Sequence, residues 1–197
     1  MENQLKGKKV AIVVANGFEE VELTKPMEAL KNAGATVDII SPEEKSVRAW
    51  AETEWGKDYP VDKHIKDVIA QDYDALVLPG GVMNPDHLRI NDRVIAFVTG
   101  FFDDSKPIAA ICHGPWTLIE TGELDGRKMT SFKSLKTDLE NAGALWVDEE
   151  VVTDKGLVTS RTPKDLPAFC KKMIEEIAEG RHDQSGNIRS GGVYQLG

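Results

Sequence analysis

Residues 106–122, KPIAAICHGPWTLIETG, constrain the fold more than any other stretch. A short apolar run, Ile108 to Ile111, meets Cys112-His113-Gly114-Pro115 and continues as Trp116 to Glu120, which has helical character. Strand, sharp turn and helix in that order push one side chain out at the carboxyl end of a parallel sheet, the layout of a nucleophile elbow. Here the corner residue is a cysteine. A thiol at a helix amino terminus sits among free N–H groups at the positive end of the dipole. The sequence therefore predicts a pKa below the ordinary value of about 8.5. Gly114 removes bulk beside the sulfur, and Pro115 suits a first helical turn, where no N–H is needed. A cysteine taken alone reads most simply as a core residue. A cysteine followed by His and Gly between a strand and a helix is poorly explained by packing. Adjacency does not by itself make a Cys112–His113 hydrogen bond, because neighbouring side chains in a tight turn can diverge.

The rest of the chain alternates strand and helix signals. The β-branched run Lys8 to Ala15 suits a strand buried on both faces of a parallel sheet. Leu23, Met27 and Leu30 recur at helical spacing, Gly34 stops that helix, and Thr36 to Ile40 makes the next strand, completing a βαβ opening. Glu19, Glu20 and Glu22 follow the first strand's carboxyl end, where ligand sites of open α/β sheets gather, although a helix first turn also favours acids. Residues 43–71 carry the weakest signal. Val47 to Trp50 suggests a short strand, Trp55-Gly56 and Tyr59-Pro60 suggest turns, and Val61 to Ala70 suggests a short helix. Tyr73 to Leu78 is a third core strand, ended by Pro79-Gly80-Gly81, a glycine pair that lets backbone N–H groups approach a ligand or simply makes a tight turn. Asn84 to His87 starts a turn or helix. Asn91 to Asp103 is a helix capped by Asn91 or Asp92. After the elbow come a strand over Lys128 to Phe132 and a helix over Ser134 to Ala142. Two strands, Leu145 to Val152 and Leu157 to Ser160, then flank an Asp154-Lys155-Gly156 turn, and a last helix runs from Pro163 to about Glu179. The pattern predicts a single-domain, doubly wound, flavodoxin-like α/β sandwich over residues 1–180, with 181–197 a loosely ordered extension.

The 197 residues suffice for one well-buried domain. A net charge of −9 without a basic block argues against nucleic acid or an anionic membrane as partner. Two cysteines, Cys112 and Cys170, in unlike contexts with no zinc spacing imply neither a disulfide framework nor a metal. The amino terminus has no signal-peptide core, so the expected setting is the cytoplasm.

The segments GFEEVEL, LPGG, NPDHLR, AICHGPW, NAGALWVDEEVV and LVTSRTPKDLPAF together resemble the PfpI family of the ThiJ/PfpI superfamily, over nearly the whole chain to about Ile177. AICHGP is the specific match. The resemblance implies a class I glutamine amidotransferase-like sandwich with Cys112 as nucleophile. Glu22 would be the buried acid on the sulfur, and Glu19 a second acid that binds polar groups of the substrate. His113 matches the family's histidine, and Asp86 the acid that reaches the histidine of a neighbouring subunit. The N–H groups of Gly81 and His113 would form an oxyanion hole beside Gly80. Homo-oligomers, dimers or hexamers, are implied, and no cofactor.

Three activities fit these residues. The first is carbonyl chemistry on a 2-oxoaldehyde such as methylglyoxal, or on glycated protein or peptide, with Cys112 as nucleophile and Glu22 or His113 as proton carrier. The second is a cysteine peptidase or amidase using Cys112, His113 and Asp86. The third is a redox-sensing or chaperone-like stress protein in which Cys112 is oxidised and Glu22 stabilises the product.

Overall fold

The structure, a computed structural model, describes residues 3–182. In chain order its elements are β1 (Lys9–Val13), β2 (Phe18–Glu19), α1 (Glu20–Asn32), β3 (Thr36–Ser41), β4 (Ser46–Ala51), β5 (Glu54–Pro60), β6 (Lys63–His64), β7 (Ala75–Leu78), α2 (Met83–Arg89) and α3 (Asp92–Asp103). There follow β8 (Ile108–Ile111), a 3-10 helix (Gly114–Thr121), β9 (Lys128–Met129), α4 (Lys136–Asn141), β10 (Leu145–Trp146), β11 (Val151–Asp154), β12 (Leu157–Ser160) and α5 (Leu166–Glu179).

Seven strands form the central sheet in the order β11-β12-β8-β7-β1-β3-β6, all parallel except the β11–β12 hairpin. The inner strands β7, β8 and β12 are buried along their whole length, as continuous apolar runs in a covered parallel sheet should be. Alternate residues serve opposite layers. Val10, Ile12, Ala75 and Val77 pack with Leu23, Leu30, Phe169 and Met173 of α1 and α5. Ala11, Val13, Leu76 and Leu78 pack with Phe97 and Phe101 of α3 and Leu118 of the 3-10 helix. This is the doubly wound α/β sandwich that the sequence predicts. Asn91 caps α3, its Oδ1 accepting from the N–H groups of Arg93 and Val94. The hairpin turn has Lys155 at φ 48° and Gly156 at φ 80°, the left-handed pair that a two-residue connection needs.

Four expectations need correction. Trp55-Gly56 and Tyr59-Pro60 are not turns: they lie within β5, which pairs antiparallel with β4 in a small sheet completed by β2. β5 is mostly exposed, so it carries no alternating apolar pattern to read. Its glycine serves close packing, since a Cβ on Gly56 would lie 3.2 Å from Ala49 Cβ. Residues 61–70 hold β6 and a one-turn 3-10 helix, Ile65–Asp67, instead of a helix of useful length. The strand placed at Lys128 to Phe132 ends at Met129, where the chain leaves β10 to cross above the elbow. The single strand placed at Leu145 to Val152 is two, β10 beside β9 and β11 beside β12, with residues 147–150 outside any strand between them. The expected extension at 181–197 lies outside the described residues beyond His182.

Candidate active site

The carboxyl ends of β1, β7 and β8 meet at one edge of the sheet, and each delivers a different part of the site. β8 ends in Cys112, which takes φ 60°, a left-handed conformation costing a non-glycine residue on the order of 1–3 kcal/mol. Two hydrogen bonds hold it there: Cys112 N–H donates to Ser160 O at 3.0 Å, and Phe132 N–H donates to Cys112 O at 2.8 Å. The following Gly114–Thr121 segment is a 3-10 helix with Pro115 in its first turn, and Gly122 ends it at φ 73°. The elbow geometry is therefore present, with a tighter helix behind it than an α-helix.

β7 delivers the glycine pair. Asn84, fully buried at the start of α2, ties this loop to β1: its Oδ1 accepts from Ala15 N–H at 2.7 Å and its Nδ2 donates to Pro79 O and Gly80 O at 2.9 and 3.1 Å. Gly80 then donates its N–H to Glu22 Oε2 at 2.8 Å. A Cβ on Gly80 would stand 2.5 Å from that oxygen and 2.8 Å from Cys112 Cβ, so only glycine lets the acid and the cysteine close around it. Gly81, at φ 79°, turns its own N–H to the sulfur, where the N–H of His113 also donates.

Glu22 rises from the first turn of α1 into this gap and has no solvent exposure. Burial pushes its carboxyl up to about 8, against the hydrogen bond from Gly80, and the Cys112 thiol interacts with it directly. Its Oε1 is buried without a nitrogen or oxygen partner, so the sulfur is the group left to share its proton. Burial, then the charge of an ionised Glu22, raise the thiol, while the N–H groups of Gly81 and His113 pull it down. The expectation of a thiol lowered by a helix terminus is thus overturned. Desolvation outweighs the short 3-10 helix.

His113 does turn back on its neighbour: Nδ1 lies 3.2 Å from Cys112 Sγ. Its Nε2 meets Ser134 Oγ at 3.2 Å, and its ring stacks on Phe132 with centroids 4.7 Å apart. Burial holds the imidazole below its ordinary pKa. Asp86 sits on the exposed side of α2 and is not among the residues lining the cavity above Cys112.

That cavity encloses about 480 Å³, in the range of small-molecule sites. Glu19, Glu22, Gly81, Cys112 and His113 line it as the sequence suggested, together with Trp50, Glu52, Met83 and Phe132, which it did not. Trp50 and Glu52 arrive on the β4–β5 hairpin, whose turn the sequence did not reveal. Glu19 stands half-buried at the N-cap position of α1 without a capping side-chain hydrogen bond, and burial raises its carboxyl, with further raising by the charges of Glu52 and Glu20. Among the described residues, Glu176, Glu179 and His182 could share a metal ion, with ligand atoms within 4.8 Å of one another. None of the three lines the Cys112 cavity. No helix among the described residues is long and apolar enough to cross a membrane.

Comparison with known proteins agrees with this geometry. The chain is 46% identical over 170 residues to General stress protein 18 of Bacillus subtilis, covering 85% of this chain and 96% of that one. It is 44% identical over 168 residues to a second Bacillus subtilis protein, named "Putative cysteine protease YraA", with the same coverage. The crystal structure of Drosophila melanogaster DJ-1beta superposes with a TM-score of 0.79 at 30% identity, covering 87% of this chain and 90% of that one. The family model of the DJ-1/PfpI family matches residues 8–176, and the chain belongs to that family.

Proposed function

We propose that the protein is a cysteine-dependent enzyme of reactive carbonyls, converting a 2-oxoaldehyde such as methylglyoxal to lactate and releasing the same kind of adduct from glycated amines or thiols. One observation carries this reading. The Cys112 sulfur is surrounded by a buried acid, an imidazole nitrogen and two backbone N–H donors, while the far nitrogen of His113 meets a serine hydroxyl instead of a carboxylate. That set suits proton movement at a carbonyl adduct better than protonation of a leaving amine, for which an acid behind the histidine is the usual orienting group.

The reaction balances with water alone. As the Cys112 sulfur adds to the aldehyde carbon its proton passes to His113, and the resulting alkoxide, met by the Gly81 and His113 N–H groups, takes that proton back. Neutral His113 removes the proton from that carbon, the electron pair moves through an enediol, and a proton returns to the neighbouring carbon. The former aldehyde carbon is now oxidised as a thioester and the former ketone reduced to an alcohol. Water cleaves the thioester, giving lactate and the thiol. The test is lactate formation by purified protein with trace metal and proteases excluded. Cys112→Ser is expected to lose at least about a hundredfold; equal rates in the two proteins would sink the reading.

The Cys112–His113 contact at 3.2 Å also favours a second reading, peptide or amide hydrolysis, with Asp86 supplied by another copy in a homo-oligomer. Under it, Asp86→Ala abolishes peptide cleavage; under the first reading, Asp86→Ala leaves aldehyde turnover within about threefold.

A further inference from the structure

The end of α5 carries two carboxyl groups and no counter-charge of its own. Glu176 and Glu179 lie in its last turn, which has no basic residue. They stand at the negative end of the helix dipole, where a cation is favoured and an acid is not. Lys172, one turn earlier, pairs with Glu175 at 2.6 Å, and Arg181 lines a separate polar cavity with Lys106 and Asp74. Among the described residues, no Lys or Arg forms an ion pair with Glu176 or Glu179. Glu176 is only 8% exposed, so water does little for its charge.

His182 returns onto these acids. Gly180, at φ 89°, ends the helix. His182 N–H then donates to Ser105 O at 2.9 Å, and its ring lies against Gly156, where a Cβ would stand 2.6 Å from Cδ2. Its Nε2 lies 3.3 Å from Glu176 Oε2 and 3.3 Å from the Glu176 carbonyl oxygen. A charge-assisted hydrogen bond would be shorter, about 2.7–2.9 Å. Two ligand atoms on a tetrahedral ion with bonds of about 2.0–2.1 Å stand about 3.3 Å apart, as Nε2 and Oε2 do here. One donor atom from each of Glu176, Glu179 and His182 lies within 4.8 Å of the other two, and the exposed Glu179 side chain can close the remaining gap.

We propose that Glu176, Glu179 and His182 form a zinc site that fastens the end of α5 to the turns before β8 and β12. One imidazole nitrogen and two carboxylate oxygens suit zinc, with water in the fourth position, whereas calcium takes about six to eight oxygens and magnesium keeps much of its water. Two of the three donors are carboxyl groups, so the spacing of cysteine and histidine did not point here. Ser105 precedes β8 and Gly156 precedes β12, so the site lies at the amino ends of these strands, whereas Cys112 follows the carboxyl end of β8. The ion is therefore structural, and the inference stands apart from the carbonyl-enzyme reading. Glu179 and His182 also lie past residues 8–176, the part that matches the family model.

The test is zinc binding by the full chain, stripped with a chelator and dialysed against zinc chloride at known free concentrations. At about 10 µM free zinc the wild type should hold one equivalent more than His182→Ala or Glu179→Gln, each of which weakens this site at least about tenfold. Zinc at about 100 µM should raise the melting temperature of the wild type by about 3 °C or more, and the rise should be lost in both variants. Glu179 and His182 are not buried, so both variants are expected to fold. Glu140→Gln, an exposed change of equal charge elsewhere, should bind zinc as the wild type does. A wild type that takes up no zinc at about 100 µM overturns the site. So does an isotherm that His182→Ala or Glu179→Gln moves no more than Glu140→Gln does, since Glu176 and His182 would then be an ion pair and nothing more.

Discussion

Glu22 and Cys112 meet against Gly80, and a Cβ at that glycine would collide with both. The acid comes from the first turn of α1 and the sulfur from the end of β8, so the contact exists only because β7, between β1 and β8 in the sheet, delivers the glycine there. The pair then behaves as one titrating unit. Burial raises both groups, the Gly80 N–H and the Cys112 thiol draw the Glu22 carboxyl back down, and the Gly81 and His113 N–H groups draw the sulfur down.

The first prediction is a pH dependence of stability. The native state keeps the Glu22 proton until about 8, whereas the unfolded carboxyl releases it near 4.5. Between those values the native state binds more protons than the unfolded state. The stabilisation is full below the lower value and lost as pH rises to the upper one, at up to about 1.4 kcal/mol per pH unit. Glu22→Gln removes the dependence. The unfolding free energy in urea, variant minus wild type, should therefore climb from about pH 5 to about pH 8 and level off above. A difference that stays flat would show that Glu22 ionises as an ordinary surface acid.

Gly80→Ala tests the closure itself. The added methyl must displace either the Glu22 carboxyl, at 2.5 Å, or the Cys112 corner, at 2.8 Å. Overpacking of this kind costs about 1–3 kcal/mol. Catalysis should suffer more than stability implies, since the displaced groups are the reacting ones. Lactate formation should fall at least about a hundredfold at a temperature where circular dichroism shows the variant folded. Turnover within a few fold of wild type would mean that the Glu22–Cys112 contact is not used.

Much of this was legible in the sequence, for reasons that differ by residue. The inner strands announced themselves because burial on both faces requires unbroken apolar runs, as at Val10 to Val14 and Ile108 to Ile111. Cys112 stood out because a cysteine between a strand, a glycine and a helix start is poorly explained by packing, whereas Glu22 and Gly81 were singled out by the family resemblance. Trp50 and Glu52 were missed because β5, the exposed partner of β4, leaves no periodic trace, so the hairpin that brings them to the cavity was not legible. The thiol's raised proton affinity was missed because a sequence displays the helix start but not the depth of burial. Asn84 was passed over as a turn former, since its three hydrogen bonds join β1 and the glycine loop only in the folded chain.

Ser134 offers a prediction on the histidine. His113 is held neutral by burial, and its Nε2 meets the Ser134 hydroxyl. If neutral His113 takes the proton from the adduct, activity is lost as pH falls through the imidazole pKa, and a lowered pKa keeps the enzyme active into mild acid. Ser134→Asp places a carboxylate at Nε2 and stabilises the imidazolium, so the acid limb of the kcat/KM profile should move up by about one unit or more. Ser134→Ala should leave that limb within about half a unit. Coincident profiles for wild type and Ser134→Asp would remove His113 from the proton path.

Asn84 separates positioning from chemistry. It touches neither the sulfur nor the cavity, yet it satisfies Ala15 N–H and the carbonyls of Pro79 and Gly80. Asn84→Ala leaves those buried groups unpaired, at a cost of at least about 2 kcal/mol in urea unfolding. Asn84→Asp keeps the acceptor for Ala15 but cannot donate to the two carbonyls, and as an anion it is buried without a cation. The aspartate should therefore be no better than the alanine, although it is nearly the same shape. Because the glycine loop carries the Gly81 N–H to Cys112, both variants should also slow alkylation of the sulfur. An Asn84→Ala protein with wild-type stability and wild-type alkylation rate would show that the loop holds its shape without this clamp.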